Sequence, residues 1–319
     1  MATGALANLK WGLETTFATE ATNLNKVFGY AVEITALDFD SSPSPRRGLG
    51  NRNLQAMAYG EFKGSMSLKF DLVDPFIFRV MTGGYAKSGV GPFVYDFAEA
   101  QTLPSFTIKN YIDNIDGGAD TLRTFLGCIV TDYTIDIAVG DEPVSVTLNI
   151  AFAKVVDAAT VQAPIFPTNT PLMFTQGELK KAGAAQTFIE NVSVKGGQNS
   201  VMKTYLGSRF PTRARFGDRE YEMTTLHYYQ LPSVFFDEHW GAAAGPTEQG
   251  PGPKKAWIVT LTPEIAGQVA DTYTFTFTDG YVVKVSQPEK VGEDIMEEAT
   301  LILTSMMVSV SSATAEPIW

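Results

Sequence analysis

Short segments in which apolar and polar residues alternate dominate the chain, and this period of two is typical of strands with one buried face. In TLNIAF, Leu148, Ile150 and Phe152 fall on one face, as in a sheet whose other face meets water or a partner. Gly, Pro, Asp and Asn bound most of these segments. The pattern predicts a mainly β protein with strands over residues 30–37, 62–72, 104–111, 127–138, 143–154, 189–195, 219–230, 256–262, 272–278, 281–286 and 299–310.

One segment of the first half has the pattern of a helix instead. In DPFIFRVMTGG, residues 74–84, Asp74 can cap the first turn and Pro75 suits its first position. Gly83 and Gly84 then provide a stop. We therefore expect a short helix between the second predicted strand and the rest of the first half.

Two short phrases suggest that a structural unit is written twice. LGNR at 49–52 and LGSR at 206–209 are 157 positions apart. Without gaps, this offset gives seven identical pairs in the thirty positions from 49 to 78, where about two are expected by chance. In the first copy the identical residues are Leu49, Gly50, Arg52, Gly60, Met66, Pro75 and Phe78.

The repeat predicts two tandem, related β-barrel or sandwich units, residues 1–158 and 159–319. Each would carry a long loop and a short helix, and the second helix would span residues 231–241. The join falls near residues 156–171, where prolines and small residues interrupt the strand pattern. The second unit has an inserted loop at 241–255, rich in Gly and Pro.

Composition limits the partners that the surface can have. The chain of 319 residues has a net charge of −11, which argues against binding nucleic acid by neutralising phosphates. Only 18% of residues are charged, against about 25% in an average soluble domain, which hints that partners cover some surface. Neither a signal peptide nor a membrane-spanning run is evident, so we expect a soluble protein made in the cytoplasm, with no membrane partner.

Candidate chemistry is sparse. Cys128 is the single cysteine, so an intrachain disulfide is impossible, and its apolar neighbours predict burial. His227 lies between aromatic residues of a predicted strand, and His239 has acidic neighbours that do not share a helix face with it. The sequence has none of the common nucleotide-binding, zinc-protease or hydrolase motifs. We expect no enzyme, no cofactor and no metal site.

Two loops of about twenty residues, 41–58 and 196–215, are more informative because long loops are usually functional or mobile. Both are cationic in an acidic chain, which favours contacts with an acidic neighbour, and both carry apolar residues that a free loop does not need. The candidates for contacts between subunits or rings are Arg46, Arg47, Leu49, Arg52, Leu54 and Met57 in the first loop and Tyr205, Leu206, Arg209, Phe210, Arg213 and Arg215 in the second.

Three longer phrases carry a resemblance to a known family. They are KWGLETTFATEA near the start, GEFKGSMSLKFDLVDPFIFRVMTGG at 60–84, and the strand pair TDYTIDIAVGDEPVSVTLNIAF at 131–152. Over about residues 9–155 the chain resembles the tail tube proteins of tailed viruses, especially the long-tailed, non-contractile type. The second copy departs from the simplest members of that family.

The resemblance implies a structural protein of the virion tail. Subunits of the family join their sheets around a channel, the rings stack, and genome DNA passes through without sequence-specific binding. Tape-measure and tail-terminator proteins are implied partners. Two copies per chain favour a trimeric ring of six similar sectors, with a hexameric ring as the alternative. An acidic inner wall would repel phosphate and let DNA slide.

Two other classes stay open from the residues alone. One is a different structural subunit of a virion or injection device, such as a sheath, baseplate or decoration protein. The other is a carbohydrate-binding or glycosidase-like β-sandwich, suggested by the aromatic residues Tyr228, Tyr229, Trp240 and Trp257. Tubes seen by microscopy would favour the tail tube over both classes.

Overall fold

A computed structural model describes most of the chain and confirms a mainly β fold. The described residues are 2–47, 49, 53–114, 121–140, 142–158, 171–173, 177–229, 235, 239, 255–261, 271–287 and 294–312. Among the described residues, eighteen strands form one hydrogen-bonded barrel-like sheet, and two short hairpins stand outside it. The predicted inserted loop and nearly all of the predicted second helix lie outside the described residues.

The strands and the one described helix are numbered in chain order. The strands of the first half are β1 (Ala2–Leu13), β2 (Lys26–Val27), β3 (Gly29–Asp40), β4 (Ser44–Arg46), β5 (Ala56–Ala58), β6 (Lys63–Leu72), β7 (Ala86–Ser88), β8 (Phe93–Phe97), β9 (Phe106–Asn114), β10 (Thr121–Ala138), β11 (Ser145–Phe152) and β12 (Lys154–Ala158). The helix α1 (Ile77–Thr82) lies between β6 and β7. The strands of the second half are β13 (Gly177–Lys181), β14 (Ala184–Ala185), β15 (Ile189–Gly197), β16 (Val201–Lys203), β17 (Arg213–Arg215), β18 (Glu220–Tyr228), β19 (Lys255–Leu261), β20 (Thr272–Ser286), β21 (Met296–Leu303) and β22 (Met306–Ser312).

Each strand predicted from alternation corresponds to a strand of the structure, but two boundaries are wrong. Residues 272–278 and 281–286 form the single strand β20, because the Asp279-Gly280 pair continues the strand instead of turning it. Residues 299–310 form two strands, β21 and β22, with a break before Met306. The alternation also missed the first six residues of β10, the strands β1, β8, β12 and β13, and the strands of two or three residues.

Strand pairing follows the same order in both halves. In the first half the order is β3, β6, β11, β10, β9, β1, and in the second it is β15, β18, β21, β20, β19, β13. The long strands β10 and β20 each carry an additional neighbour, β12 or β22. Irregularities recur as well, since a register shift follows Val130 in β10 and Val282 in β20.

The two loops share this correspondence. The small hairpin β4–β5 of the first loop has its counterpart in β16–β17, each strand displaced by the same 157 residues. The pairing therefore agrees with the predicted repeat. The division at residue 158 into two tandem units stays a prediction.

The core lies between the barrel's strands and α1. Alternate residues of β6 and β11 are buried, among them Leu68, Phe70, Val146 and Leu148. Cys128 is buried as predicted. Since a sheet buries one face and leaves the other to water or partners, this alternation determines which side chains can have a function outside the core.

The helix α1 ends at Gly83 as predicted but begins later than predicted, because its N-cap is Phe76 without a side-chain cap and not Asp74. The carboxylate Oδ1 of Asp74 accepts a hydrogen bond from the backbone N–H of Phe76 at 2.8 Å, in the turn that precedes the helix. Gly83 ends it with a φ of 97°, a conformation that favours glycine. Burial raises the pKa of the Asp74 carboxyl to about 7, although nearby Lys26 acts in the opposite direction.

Candidate functional site: a polar sheet face and its two borders

One face of the barrel wall is polar across eight neighbouring strands. The order β3, β6, β11, β10, β15, β18, β21, β20 is continuous through both halves. Residues directly opposite each other in these pairs share a face, so the register identifies the side chains that lie opposite the core. They are mostly Ser, Thr, Asn and charged residues, which leave this face wet.

Carboxylates outnumber lysines on this face. The acids are Glu33, Asp38, Asp40, Asp71, Asp132, Asp136, Glu220, Glu222 and Glu298, and the lysines are Lys63, Lys69, Lys195 and Lys284. Side-chain hydrogen bonds link neighbouring strands here, since Asn149 donates to Asp132 at 2.5 Å and Ser193 donates to Asp136 at 2.6 Å. The face is thus ordered, polar and acidic overall.

The two halves join through the pair β10–β15. Seven residues of each strand are opposed, from Asp132 opposite Gly197 to Ala138 opposite Asn191. At the centre of the pair, the Tyr133 ring covers Gly196, and a Cβ at Gly196 would lie 2.3 Å from the ring. The β10–β15 pair makes the sheet continuous across the two halves.

A partly buried polar cluster supports this junction. The guanidinium of Arg219 donates from Nε to the Gln198 side chain at 2.9 Å, pairs with Glu99 at 3.3 Å and also donates to the carbonyl of Ala100. The amide of Gln198 in turn donates to the carbonyl of Met81 at 2.7 Å. Arg219 and Gln198 of the second half are therefore held by three groups of the first half.

The second loop leans back over the first half. The backbone N–H of Phe62 donates to the carbonyl of Arg209 at 2.8 Å, and the hydroxyl of Thr204 donates to Glu61. The rings of Phe62 and Phe210 lie 5.4 Å apart, and the Arg209 guanidinium lies 5.5 Å from the Tyr59 ring centre. These contacts hold the base of the loop beside the ends of β6 and β11, and a groove lies between those ends and the hairpin of the loop.

The structure separates the predicted contact residues into two groups. Arg209 and Phe210 contact the first half, as just described, whereas the tips of both loops project away, with Leu49 and Leu206 fully exposed. Exposure also marks Arg46, Arg47, Leu54, Met57, Tyr205, Arg213 and Arg215, and Arg52 lies outside the described residues. Nothing in the two loop sequences predicts that the loops differ in what they contact, because their patterns of residues are alike.

Residues of the junction were missed by sequence reasoning. Gly196, Arg219 and Glu99 belong to strands and turns without a recognisable motif. The 157-residue offset could have pointed to them, because it aligns Arg219 with Phe62 and Gln198 with Ser41. Arg219 thus places a charge where the other copy has an apolar ring, and it makes contacts that the other copy does not make.

Catalytic or metal chemistry finds little support among the described residues. His227 is buried, with its Nε2 atom 3.4 Å from Glu297 Oε1 and its ring against Phe235. The described part of the chain contains no group of three or more His, Cys, Asp or Glu residues that could hold a metal ion. None of its helices has the length and apolar character to cross a membrane.

Comparison with protein families decides the identity. The family model described as "Phage tail tube protein" matches residues 4–238, about three quarters of the chain. The chain belongs to this family. A search of curated proteins finds no match.

Membership in the phage tail tube family confirms the resemblance drawn from the sequence. The protein is a structural component of the virion tail, and its family is one of structural proteins and not of enzymes. Tail tube proteins assemble into a tube, so this protein is an assembling subunit. The matched region includes α1, the β10–β15 junction and both cationic loops.

Proposed function

We propose that three copies of this tail tube protein close into a ring of six similar sheet sectors, and that the rings stack into a tube through which genome DNA passes. The observation that carries the proposal is the β10–β15 pair, which joins the two halves by backbone hydrogen bonds into one wall. A wall built from such sectors closes when each open border finds an equivalent partner. A hexameric ring is the alternative.

The polar sheet face is the proposed lining of the channel. Its excess of carboxylates would repel DNA phosphates, whereas a surface rich in Lys and Arg would hold them. Serine, threonine and asparagine side chains keep the lining wet without fixing the DNA at any sequence. The chain would thus let DNA move without binding a particular sequence.

The two exposed loop tips are the proposed contacts between stacked rings. Leu49 and Leu206 occupy equivalent places in the repeat and are both fully exposed, which is unusual for apolar side chains unless a partner covers them. The arginines of the two loops would meet acidic surface of the next ring. Tape-measure and tail-terminator proteins are the proposed further partners, and synthesis in the host cytoplasm precedes assembly.

Electron microscopy of the purified chain tests the proposal. We expect hollow tubes with a regular axial repeat, whose end-on views have six similar sectors and threefold symmetry. Sixfold symmetry with one chain per sector would support the hexamer instead. A chain that stays monomeric under a range of salt and protein concentrations would contradict the proposed assembly.

A variant separates ring formation from stacking. Leu49→Glu combined with Leu206→Glu places charges at both loop tips and touches no described core contact. We expect single rings without tubes, and Leu49→Met with Leu206→Met is the matched control that should still form tubes. Long tubes from the Glu variant would show that the tips do not mediate stacking.

A further inference from the structure

Resting on the proposed ring, we propose that a second copy of this chain adds its β3 to the open border of β20, in the register that β15 adopts on β10. The same second copy would lay its first loop in the groove at the ends of β18 and β21. The partner is therefore another copy of this chain, and both contacts can be assigned residue by residue.

Both borders are open within the described residues. The β20 segment from Tyr281 to Ser286 pairs with β21 alone, whereas its counterpart in β10 lies between β11 and β15. In the same way β3 pairs with β6 alone, whereas its counterpart β15 lies between β18 and β10. A strand with an unpaired row of N–H and C=O groups is a template for another strand.

The register follows from the repeat. Strand pairing makes Asp132 of β10 equivalent to Lys284 of β20. Asp132 lies two strands from β6, Lys284 lies two strands from the equivalent strand β18, and each directly follows the register shift of its own strand. The 157-residue offset aligns Gly197 of β15 with Asp40 of β3. Since Asp132 is opposite Gly197, Lys284 should be opposite Asp40 of the second copy.

Charge favours this register. Lys284 and Asp40 are both exposed, and direct opposition of a lysine and an aspartate on neighbouring strands is a favourable cross-strand pair. One row further along, Ser286 would lie opposite Asp38, as Thr134 lies opposite Lys195 inside the chain. A shift by one residue would put Lys284 opposite Phe39 and move these side chains to opposite faces.

The loop contact has an equally direct template. Thr204 donates to Glu61 inside the chain. The 157-residue offset aligns Thr204 with Arg47 and Glu61 with Asp218, so the equivalent contact joins Arg47 of the second copy to Asp218. The groove beside the second loop is bordered by Lys63, Gly64, Ala151 and Phe152, and the equivalent residues Glu220, Tyr221, Ile302 and Leu303 line a groove at the ends of β18 and β21. Glutamate thus replaces lysine at the border, which suits the cationic first loop.

Cysteine cross-linking tests the register. In Lys284→Cys with Asp40→Cys, oxidation should give covalent dimers and trimers, and the ladder should end at the trimer if the ring has three chains or at the hexamer if it has six. The mismatched pair Lys284→Cys with Phe39→Cys should give no such ladder. Asp132→Cys with Gly197→Cys is the intrachain control, because Gly197 has room for a side chain and the bond should form without a change in mass.

The outcomes separate this inference from the proposed function. Tubes or rings by microscopy without cross-linking of the matched pair, while the intrachain control forms its bond, would overturn the assigned register and leave the ring standing. A monomeric chain with a positive intrachain control would overturn both. A ladder from the matched pair alone supports the inference.

A charge exchange tests the loop contact separately. Arg47→Glu should raise the protein concentration needed for assembly at least tenfold, because it places a carboxylate against Asp218 and Glu220. Adding Asp218→Arg should recover most of the loss, whereas Arg46→Glu, one residue away on the hairpin, should have a smaller effect. Equal effects of the two arginine variants with no recovery by Asp218→Arg would overturn the assigned contact.

Discussion

Strand β15 in the second half lies between β10 and β18, whereas β3, at the equivalent place in the first half, pairs with β6 alone among the described residues. The loops differ in the same sense, because the second is held at Phe62 and the first is exposed along nearly all of its described length. The two halves thus have the same strand order, but only the second half has a partner strand on the outer edge of its first strand in this order. A neighbouring molecule would have to supply a second partner strand for β3 and a surface that covers the first loop.

The two halves also differ in their buried side chains. At one core position the first half packs Phe70 near Val146, and at the equivalent position the second half packs His227 near Glu297. Arg219 likewise stands where the first half has Phe62. The two halves therefore share a strand order but fill this equivalent core position differently, with an apolar pair in the first half and a polar pair in the second. Comparing equivalent positions shows which differences serve stability and which serve contacts.

The strongest predicted effect concerns the buried Asp74 of the first half, whose equivalent in the second half is Leu231. Its pKa is raised to about 7 from an ordinary value of about 3.9 by burial. Stability from the protonated carboxyl is present below pH 4 and is lost as the pH rises through 7. Asp74→Asn keeps the oxygen acceptor for Phe76, so it should remove up to about 4 kcal/mol of pH dependence.

Urea unfolding in dilute solution at pH 4.5, 6 and 8 measures this effect. The exposed carboxylate Asp218 provides the control, since Asp218→Asn should leave the shape of the profile unchanged. Parallel profiles for Asp74→Asn and the unsubstituted chain would show that Asp74 is not the group responsible.

The buried polar pair of the second half gives the next largest effect. Glu297→Val alone leaves His227 without its neighbour and leaves Gln287 without the acceptor of its side-chain hydrogen bond. We expect a loss of about 3 kcal/mol in the free energy of unfolding. Adding His227→Phe reproduces the Phe70–Val146 arrangement of the first half and should recover the loss or exceed it, because an apolar pair has no desolvation cost.

Chemical denaturation of both variants decides the point. The reverse substitution in the first half, Val146→Glu, is the control and should destabilise strongly, because its neighbour Phe70 offers no hydrogen bond. A double variant no more stable than Glu297→Val would mean that the two halves differ in backbone geometry as well as in their core side chains.

The sequence was sufficient for the strands with strict alternation, and the observed strand order is compatible with the predicted repeat. Leu148, Ile150 and Phe152 are buried as their period of two predicts, and Gly83 ends α1. These features follow from local chemistry, since alternation determines which face is buried and a positive φ favours glycine. Residues 272–286 were divided wrongly because Asp-Gly is a turn signal that tertiary pairing overrode.

The difference between the two loops was beyond the sequence for a physical reason. The loops have similar lengths and charges, and what separates them is the position of the second loop beside the first half, which depends on strand pairs more than fifty residues apart. The polar face could be predicted strand by strand. Its continuity through β10 and β15 could not, because no local pattern specifies which strand will be the neighbour of an edge.

A third prediction weakens the closed junction directly. Gly196→Val would bring side-chain atoms against the Tyr133 ring, since even a Cβ there would lie 2.3 Å away. We expect a loss of about 2 kcal/mol in unfolding free energy from overpacking. Gly197→Ala is the matched control, because the nearest atoms to its Cβ lie 3.9 Å away, and thermal unfolding of the two variants should therefore differ by several degrees. Similar melting temperatures would show that Tyr133 moves aside at little cost.

The smallest expected effect compares the loops themselves. Phe210→Ala removes the ring contact with Phe62, which should cost the dilute chain about 1 kcal/mol and speed hydrogen exchange at the Phe62 amide, whose acceptor is the neighbouring Arg209 carbonyl. Leu54→Ala in the exposed first loop should cost less than about 0.5 kcal/mol under the same conditions. In assembled tubes the cost of Leu54→Ala should rise towards that of Phe210→Ala, because the neighbouring copy would then cover Leu54. If Leu54→Ala stays neutral in tubes, the two loops do not reach equivalent states on assembly.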